Sequence, residues 1–197
     1  MRKTREEIAK ELEYADVPPS YKNCHFDTFN AYNENLKRQV KEIQQLALAK
    51  SPKSLFLSGK PGRGKTHLAV AVMAEFLARG ASGAFVSTVD YVLKVQKNFG
   101  DPSHIVEEFL ELYSFLLIDD LGSEKPTETS QQAIFFLVDR FYREKRRLII
   151  TSNMPAETYY REDPRVGSRL AEMCVFVELK GNDFRLSKAD ELAGKPR

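Results

Sequence analysis

The chain has little cysteine. Cys24 and Cys174 are the two present, far apart, with no C-x-x-C and no histidine at ligand spacing. That excludes a disulfide framework and a structural zinc site, and leaves two buried free thiols as the expectation. Three histidines, His25, His67 and His104, show no metal-ligand spacing either. No run of 18 apolar residues exists to span a membrane. Met1-Arg2-Lys3-Thr4-Arg5-Glu6-Glu7 has charge with no apolar stretch behind it, so it is not a secretory signal and the chain reads as cytoplasmic. Excess charge is missing too. Lys and Arg total 30, Asp and Glu 28, and the net charge is +2, so nucleic-acid contact must come from local patches. Internal repeats and low-complexity tracts are also absent.

What remains is 197 residues, 42% hydrophobic and 29% charged. This is a composition for about one folded domain, able to bury roughly 70% of its unfolded surface without staples.

The opening segment is helical. Thr4 and Glu7 form a capping box, Ile8 and Leu12 share a face, and Pro18-Pro19 stops the helix. After a loop with Cys24, Phe26 and Phe29, Asn33 caps a second helix with Leu36, Val40, Ile43 and Ala47 in one stripe. From Ser54 onward short apolar runs alternate with helix-period segments. Strands are expected at 55–57, 84–87, 115–119, 148–151 and 175–179. Helices are expected at 65–79, 89–99, 103–113, 130–143 and 164–173. Strictly alternating strands and helices imply right-handed crossovers and a parallel sheet covered on both faces. The two consecutive helices at 89–113 are an extra element.

Gly59-Lys60-Pro61-Gly62-Arg63-Gly64-Lys65-Thr66 fits the phosphate-loop pattern G-x-x-x-x-G-K-[ST], with a strand before it and a helix after it. Glycines let the backbone approach phosphates, and the helix N-terminus adds a favourable dipole. Lys65 would reach the β- and γ-phosphates of ATP, and Thr66 would hold Mg²⁺. Lys65 is expected to be exposed. Of His67 only the backbone N–H is expected to matter. Phe115-Leu116-Leu117-Ile118-Asp119-Asp120 runs an apolar strand into two carboxylates. At the carboxyl end of a parallel strand Asp119 would complete the Mg²⁺ shell, and Asp120 could orient the attacking water. Leu148-Ile149-Ile150-Thr151-Ser152-Asn153 has the same form, and Asn153 either meets the γ-phosphate or simply initiates a turn.

In this order and spacing, the three motifs resemble an AAA+ ATPase. More narrowly they are similar to the bacterial helicase-loader (DnaC and DnaI) and IstB transposition-helper family. Gly59 to Ala69, the Phe26 and Phe29 segment, Gly167-Ser168-Arg169-Leu170 and Asn182-Asp183-Phe184-Arg185 carry the likeness. The resemblance implies an α/β, three-layer P-loop NTPase with a five-stranded parallel sheet flanked by helices and little or no C-terminal lid domain. It divides the chain into a short helical extension at 1–20, an AAA+ domain at 21–187 and a tail at 188–197. It makes Asp119 the Walker B metal residue and puts Asp120 in the position of the catalytic carboxylate, where many relatives carry Glu. Asn153 becomes sensor 1 and Arg185 sensor 2. Arg169 becomes the arginine finger that reaches a neighbouring subunit's ATP, with Arg165 as fallback. Phe26 is the base-packing residue it suggests, and the helix pair at 89–113 is the insertion that faces DNA.

The function implied is ATP hydrolysis coupled to ATP-dependent assembly, hexameric or spiral, on single-stranded DNA, with a replicative helicase as partner. A transposition helper shares every motif. A P-loop small-molecule kinase is a third reading, as is an adaptor in which ATP serves mainly assembly. A GTPase fits worse, because Asp119-Asp120-Leu121-Gly122 matches D-x-x-G but no Asn-Lys-x-Asp stretch follows. Lys94, Lys97 and Phe99, with Lys125 and Thr127, are the candidate DNA contacts, although Phe99 reads equally as core. The basic run 143–147 precedes a strand and reads as a solvated helix end. About 20 residues ahead of the module offer far less than the roughly 800 Å² per partner of a stable interface, so poor helicase engagement is expected.

Overall fold

A computed structural model describes residues 2–50 and 53–181. Its elements are α1 (Arg5–Tyr14), α2 (Glu34–Leu48), β1 (Ser54–Ser58), α3 (Lys65–Ala78), β2 (Gly83–Ser87), α4 (Thr88–Lys97), α5 (Ser103–Leu112), β3 (Phe115–Leu121), α6 (Glu128–Arg143), β4 (Arg147–Ser152), α7 (Ala156–Glu162), α8 (Pro164–Met173) and β5 (Cys174–Glu178). Short 3₁₀ turns at Pro19–Tyr21 and Phe26–Thr28 connect α1 to α2.

The five strands form one parallel sheet in the order β2-β3-β4-β1-β5. Alternate residues of each strand enter opposite cores, as the two-residue period of a strand requires. Leu55, Leu57, Phe115, Leu117 and Ile149 pack under α1, α2 and α3. Phe56, Leu116, Ile118, Leu148 and Ile150 pack under α4, α5, α6 and α8. Burial on both faces explains why the strands read as unbroken apolar runs. This is the three-layer P-loop architecture of AAA+ type.

Helix starts follow local chemistry. Thr4, Asn33, Ser87, Thr127 and Asp163 each accept a first-turn N–H of α1, α2, α4, α6 and α8. The N-terminal segment does not stand apart from the sheet. Leu12, Ala15 and Val17 are buried in the core, and Ala15 O accepts the N–H of Phe85 at 2.8 Å, on edge strand β2.

Two sequence expectations change. The first insertion helix stops at Lys97, and Phe99 sits at φ +56° and is wholly exposed, so it is not core. Helix α7 was not expected; it buries only Tyr159, so no apolar stripe announced it.

Candidate functional site

The β1–α3 connection is shaped by glycine. Gly64, the residue ahead of α3, has φ +80°, and a Cβ there would lie 2.4 Å from the Phe29 ring. No side chain caps α3, in contrast to α1, α2, α4, α6 and α8. A helix N-terminus facing a cavity favours an anion.

A cavity of about 410 Å³ opens there, lined by Pro61, Gly62, Gly64, Lys65, Thr66 and His67 on one side and Asp119, Asp120 and Asn153 on another. The carboxyl ends of β3 and β4 supply these last three. A register break between Ile118 and Leu121, with Asp120 at φ +56°, turns the second carboxylate out of the ladder.

The side chains meet. The Thr66 and Thr151 hydroxyls donate to Asp119 Oδ1 at 2.9 and 2.7 Å. The Asp120 N–H donates to Thr151 Oγ1 at 2.8 Å. Lys65 Nζ donates to Asn153 Oδ1 at 2.7 Å and to Lys60 O at 3.1 Å. Asn153 Nδ2 donates to Asp120 Oδ1 at 3.1 Å. Burial pushes the Asp119 carboxyl above the usual carboxylate range, against the opposing pull of the Thr151 and Thr66 hydroxyls. Lys65 is itself buried, which corrects the expectation that it stands exposed. Thr151 escaped notice in the sequence because it lies one residue too early to read as a strand-end ligand.

The fit to nucleotide and metal is local. Uncapped N–H groups and one ammonium suit phosphates. Among the described residues no three His, Cys, Asp or Glu side chains gather to hold a metal. A hydroxyl and a carboxylate already in contact, Thr66 and Asp119, instead suit a hard cation that takes its remaining oxygens from phosphate and water.

Gly59, Lys60 and Arg63 do not line this cavity. The Gly59 backbone packs on Leu179, where a Cβ would come within 2.6 Å of its carbonyl oxygen. Arg63 Nη1 donates to Leu179 O at 2.9 Å, and Lys60 enters only through its carbonyl. Arg185 lies outside the described residues. Phe26 lines a different cavity with Arg2, Lys3 and Arg5, whereas Tyr21, Thr28, Phe29 and Asn30 line this one. The rings beside this cavity are thus Phe29 and Tyr21, not Phe26. The His67 imidazole also matters, contrary to expectation. Its Nε2 meets His25 O at 3.0 Å and Thr28 Oγ1 at 3.3 Å, and its ring meets Phe29 edge-on, pinning the 25–29 turn to α3. Burial holds its pKa below the usual histidine range.

Arg165 and Arg169 lie on α8. Arg169 Nε donates to Asp139 Oδ1 at 2.6 Å, and both guanidinium groups lie over the Phe135 ring. On the insertion, Leu93, Phe99 and Val89 are exposed near Lys94 and Lys97.

Residues 1–191 match the model of a family described as IstB-like ATP binding protein. The replicative helicase loader DnaC of Buchnera aphidicola (subsp. Acyrthosiphon pisum) is 31% identical over 140 residues, 68% of this chain and 57% of that protein. DnaC of Escherichia coli K12 is 28% identical over 149 residues, 72% and 61% of the two chains. The chain thus spans under two thirds of the curated relatives it matches. A crystal structure of the DnaC helicase loader superposes with a TM-score of 0.73 at 28% identity, covering 83% of this chain and all of that one. A DnaI crystal structure, at 18% identity and a TM-score of 0.69, covers 86% of this chain and 95% of its own, and shares the fold.

Proposed function

The chain belongs to the IstB-like ATP-binding protein family, and from that premise we propose that it hydrolyses ATP, assembles with other copies of itself when ATP is bound, and acts on single-stranded DNA as a helicase loader does. One observation carries the hydrolytic part. Asn153 bridges Lys65 and Asp120, so the group that would bind phosphate and the group that would handle water are already in one hydrogen-bonded line.

The α3 N–H groups and Lys65 bind and orient the phosphates. Lys65 must exchange its bond to Asn153 for phosphate oxygen, which frees Asn153 Oδ1 to accept a hydrogen bond from the water, while Asn153 Nδ2 would leave Asp120 to donate to the γ-phosphate. Asp120 orients that water and accepts its proton. As an Asp it is one methylene shorter than a Glu, and it lines the cavity from the end of β3. Thr66 and Asp119 would hold Mg²⁺, which neutralises charge on the phosphates when bound. Phe29, Tyr21 and Asn30 line the same cavity and would meet the rest of the nucleotide. Arg169 would complete the site of an adjacent copy, stabilising charge on the transferring phosphoryl group as planar cations do. Phe99 with Lys94 and Lys97 offers a ring and cations of the kind that bind single strands.

The test is ATP turnover against chain concentration, with and without single-stranded DNA. Specific activity should rise with concentration, and Arg169→Ala should bind ATP while losing that rise. A flat profile refutes assembly. The DnaC relatives support a replicative helicase as partner. A transposition helper shares the same motifs, so a transposase is the alternative partner, and a pull-down with both in competition decides between them.

A further inference from the structure

We propose that Asp139 and Phe135 of α6 are positioning residues for the arginine that α8 supplies to a neighbouring copy. The inference rests on the reading of Arg169 as acting in trans.

Phe135 and Asp139 are one helical turn apart on α6. Arg165 and Arg169 are one turn apart on α8, packed against it. The Phe135 ring lies 4.4 Å from the Arg165 guanidinium carbon and 4.9 Å from that of Arg169. Asp139 is a buried carboxylate, 8% exposed. Its Oδ1 accepts Arg169 Nε at 2.6 Å, and its Oδ2 forms an ion pair with Arg143 Nε at 2.8 Å. Arg169 Nη1 donates to Arg165 O at 2.9 Å. Ring face, carboxylate and carbonyl together fix the plane of the Arg169 guanidinium and occupy two of its three nitrogens. Nη2 is left for a group on another chain.

A packing role alone does not explain this choice of residues. Apolar side chains of similar volume would hold α6 to α8 as well as a buried ion pair does, or better. What the pair adds is orientation. A guanidinium on a mobile stem must give up rotamer freedom before it serves a phosphoryl group, and one already set in plane has less to lose. Arg165 is held differently, by Asp163, through Nε at 3.0 Å and Nη2 at 2.8 Å, and its side chain is 61% exposed. Of the two α8 arginines Asp139 therefore holds Arg169, and Phe135 meets both.

The experiment uses full-length chains. Asp139→Asn should bind ATP as wild type does, with KM unchanged and kcat lower by about 10- to 100-fold, the scale of a misplaced catalytic group. It is then mixed with excess Asp120→Asn, which binds ATP and presents an intact Arg169 but hydrolyses poorly. The Asp139→Asn sites, now facing a neighbour's intact arginine, should recover most of their kcat. Phe135→Leu should behave alike with a smaller loss, and it carries the test in the same mixture if Asp139→Asn does not fold. Wild-type kcat in both variants, or no recovery on mixing, overturns the proposal. Loss of activity in Arg165→Ala with none in Arg169→Ala overturns it too, by moving the role to the Asp163-held arginine. If Arg165→Ala and Arg169→Ala both keep full activity at every concentration, the trans reading itself falls.

Discussion

Replacing Gly64 by Ala puts two separable costs on one atom. The backbone at φ +80° is left-handed, which costs a residue with a Cβ about 1–2 kcal/mol. The new Cβ also lies 2.4 Å from Cε2 and 3.0 Å from Cζ of Phe29, a contact that cannot stand. Phe29 is half-buried and holds His67 edge-on at 5.2 Å, so it can yield only by disturbing the 25–29 turn. Overpacking of this kind costs about 1–3 kcal/mol. Together the loss is about 2–5 kcal/mol, or roughly 4–20 °C in melting temperature for a chain of this size. Thermal melts of wild type, Gly64→Ala, Phe29→Ala and the double variant close a mutant cycle. The overlap should appear as a coupling of about 1–3 kcal/mol, with the backbone strain remaining in the double variant. Nucleotide adds a second reading. A ligand at 100 times its Kd stabilises the folded state by about 2.7 kcal/mol, and Gly64→Ala should lose most of that increment because the α3 N-terminus has shifted. An unchanged melting temperature in Gly64→Ala would refute the strain and the clash together. A coupling near zero would refute the clash alone.

Other outcomes follow from the same geometry. Asp120→Asn should retain Mg²⁺-dependent nucleotide binding and lose at least about 10²-fold in turnover, whereas Asp119→Asn should weaken the Mg²⁺–nucleotide complex, read by titrating metal against a fluorescent analogue. Equal turnover in both and in wild type would make the end of β3 structural. Phe99→Ala should leave the melt within about 0.5 kcal/mol, since the ring is wholly exposed, and should weaken single-stranded DNA binding by about 1–3 kcal/mol. Unchanged DNA affinity would remove Phe99 from the binding face. Burial pushes the Cys24 and Cys174 thiols up to about 11 and about 12. Neither should react with a disulfide reagent at pH 8 until the chain unfolds, and rapid labelling of the native chain would contradict that.

The sheet was legible because its strands are buried on both faces and so announce themselves as short apolar runs. The phosphate loop and the ends of β3 and β4 were legible for a related reason. Parallel strands carry polar residues where they leave the core, and those ends converge. Other features depended on direction, which composition does not encode. Phe26 and Phe29 are three residues apart and chemically identical, yet the 3₁₀ turn between them sends one to each of two cavities. The tie between Arg169 and Asp139 joins α8 to α6 across 30 residues without any motif. The burial of Lys65 has no sequence signal, because the acceptors that satisfy it, Asn153 Oδ1 and Lys60 O, lie on two separate segments.

The strand order has a consequence for how the chain is made. β1 lies between β4 and β5, and both of those are synthesised long after it. Ser54 enters its ladder only when Cys174 arrives, and Leu55 only when Ile149 arrives. At an elongation rate of about 5–20 residues per second, β1 and the phosphate loop behind it wait roughly 5–20 s without a lateral partner. Nucleotide cannot shorten that wait, since Asn153 is translated last of the groups that meet in the cavity. A ribosome stalled before β4 therefore holds an apolar strand that α1, α2 and α3 can cover on one face alone, and such a nascent chain is a natural client for a chaperone.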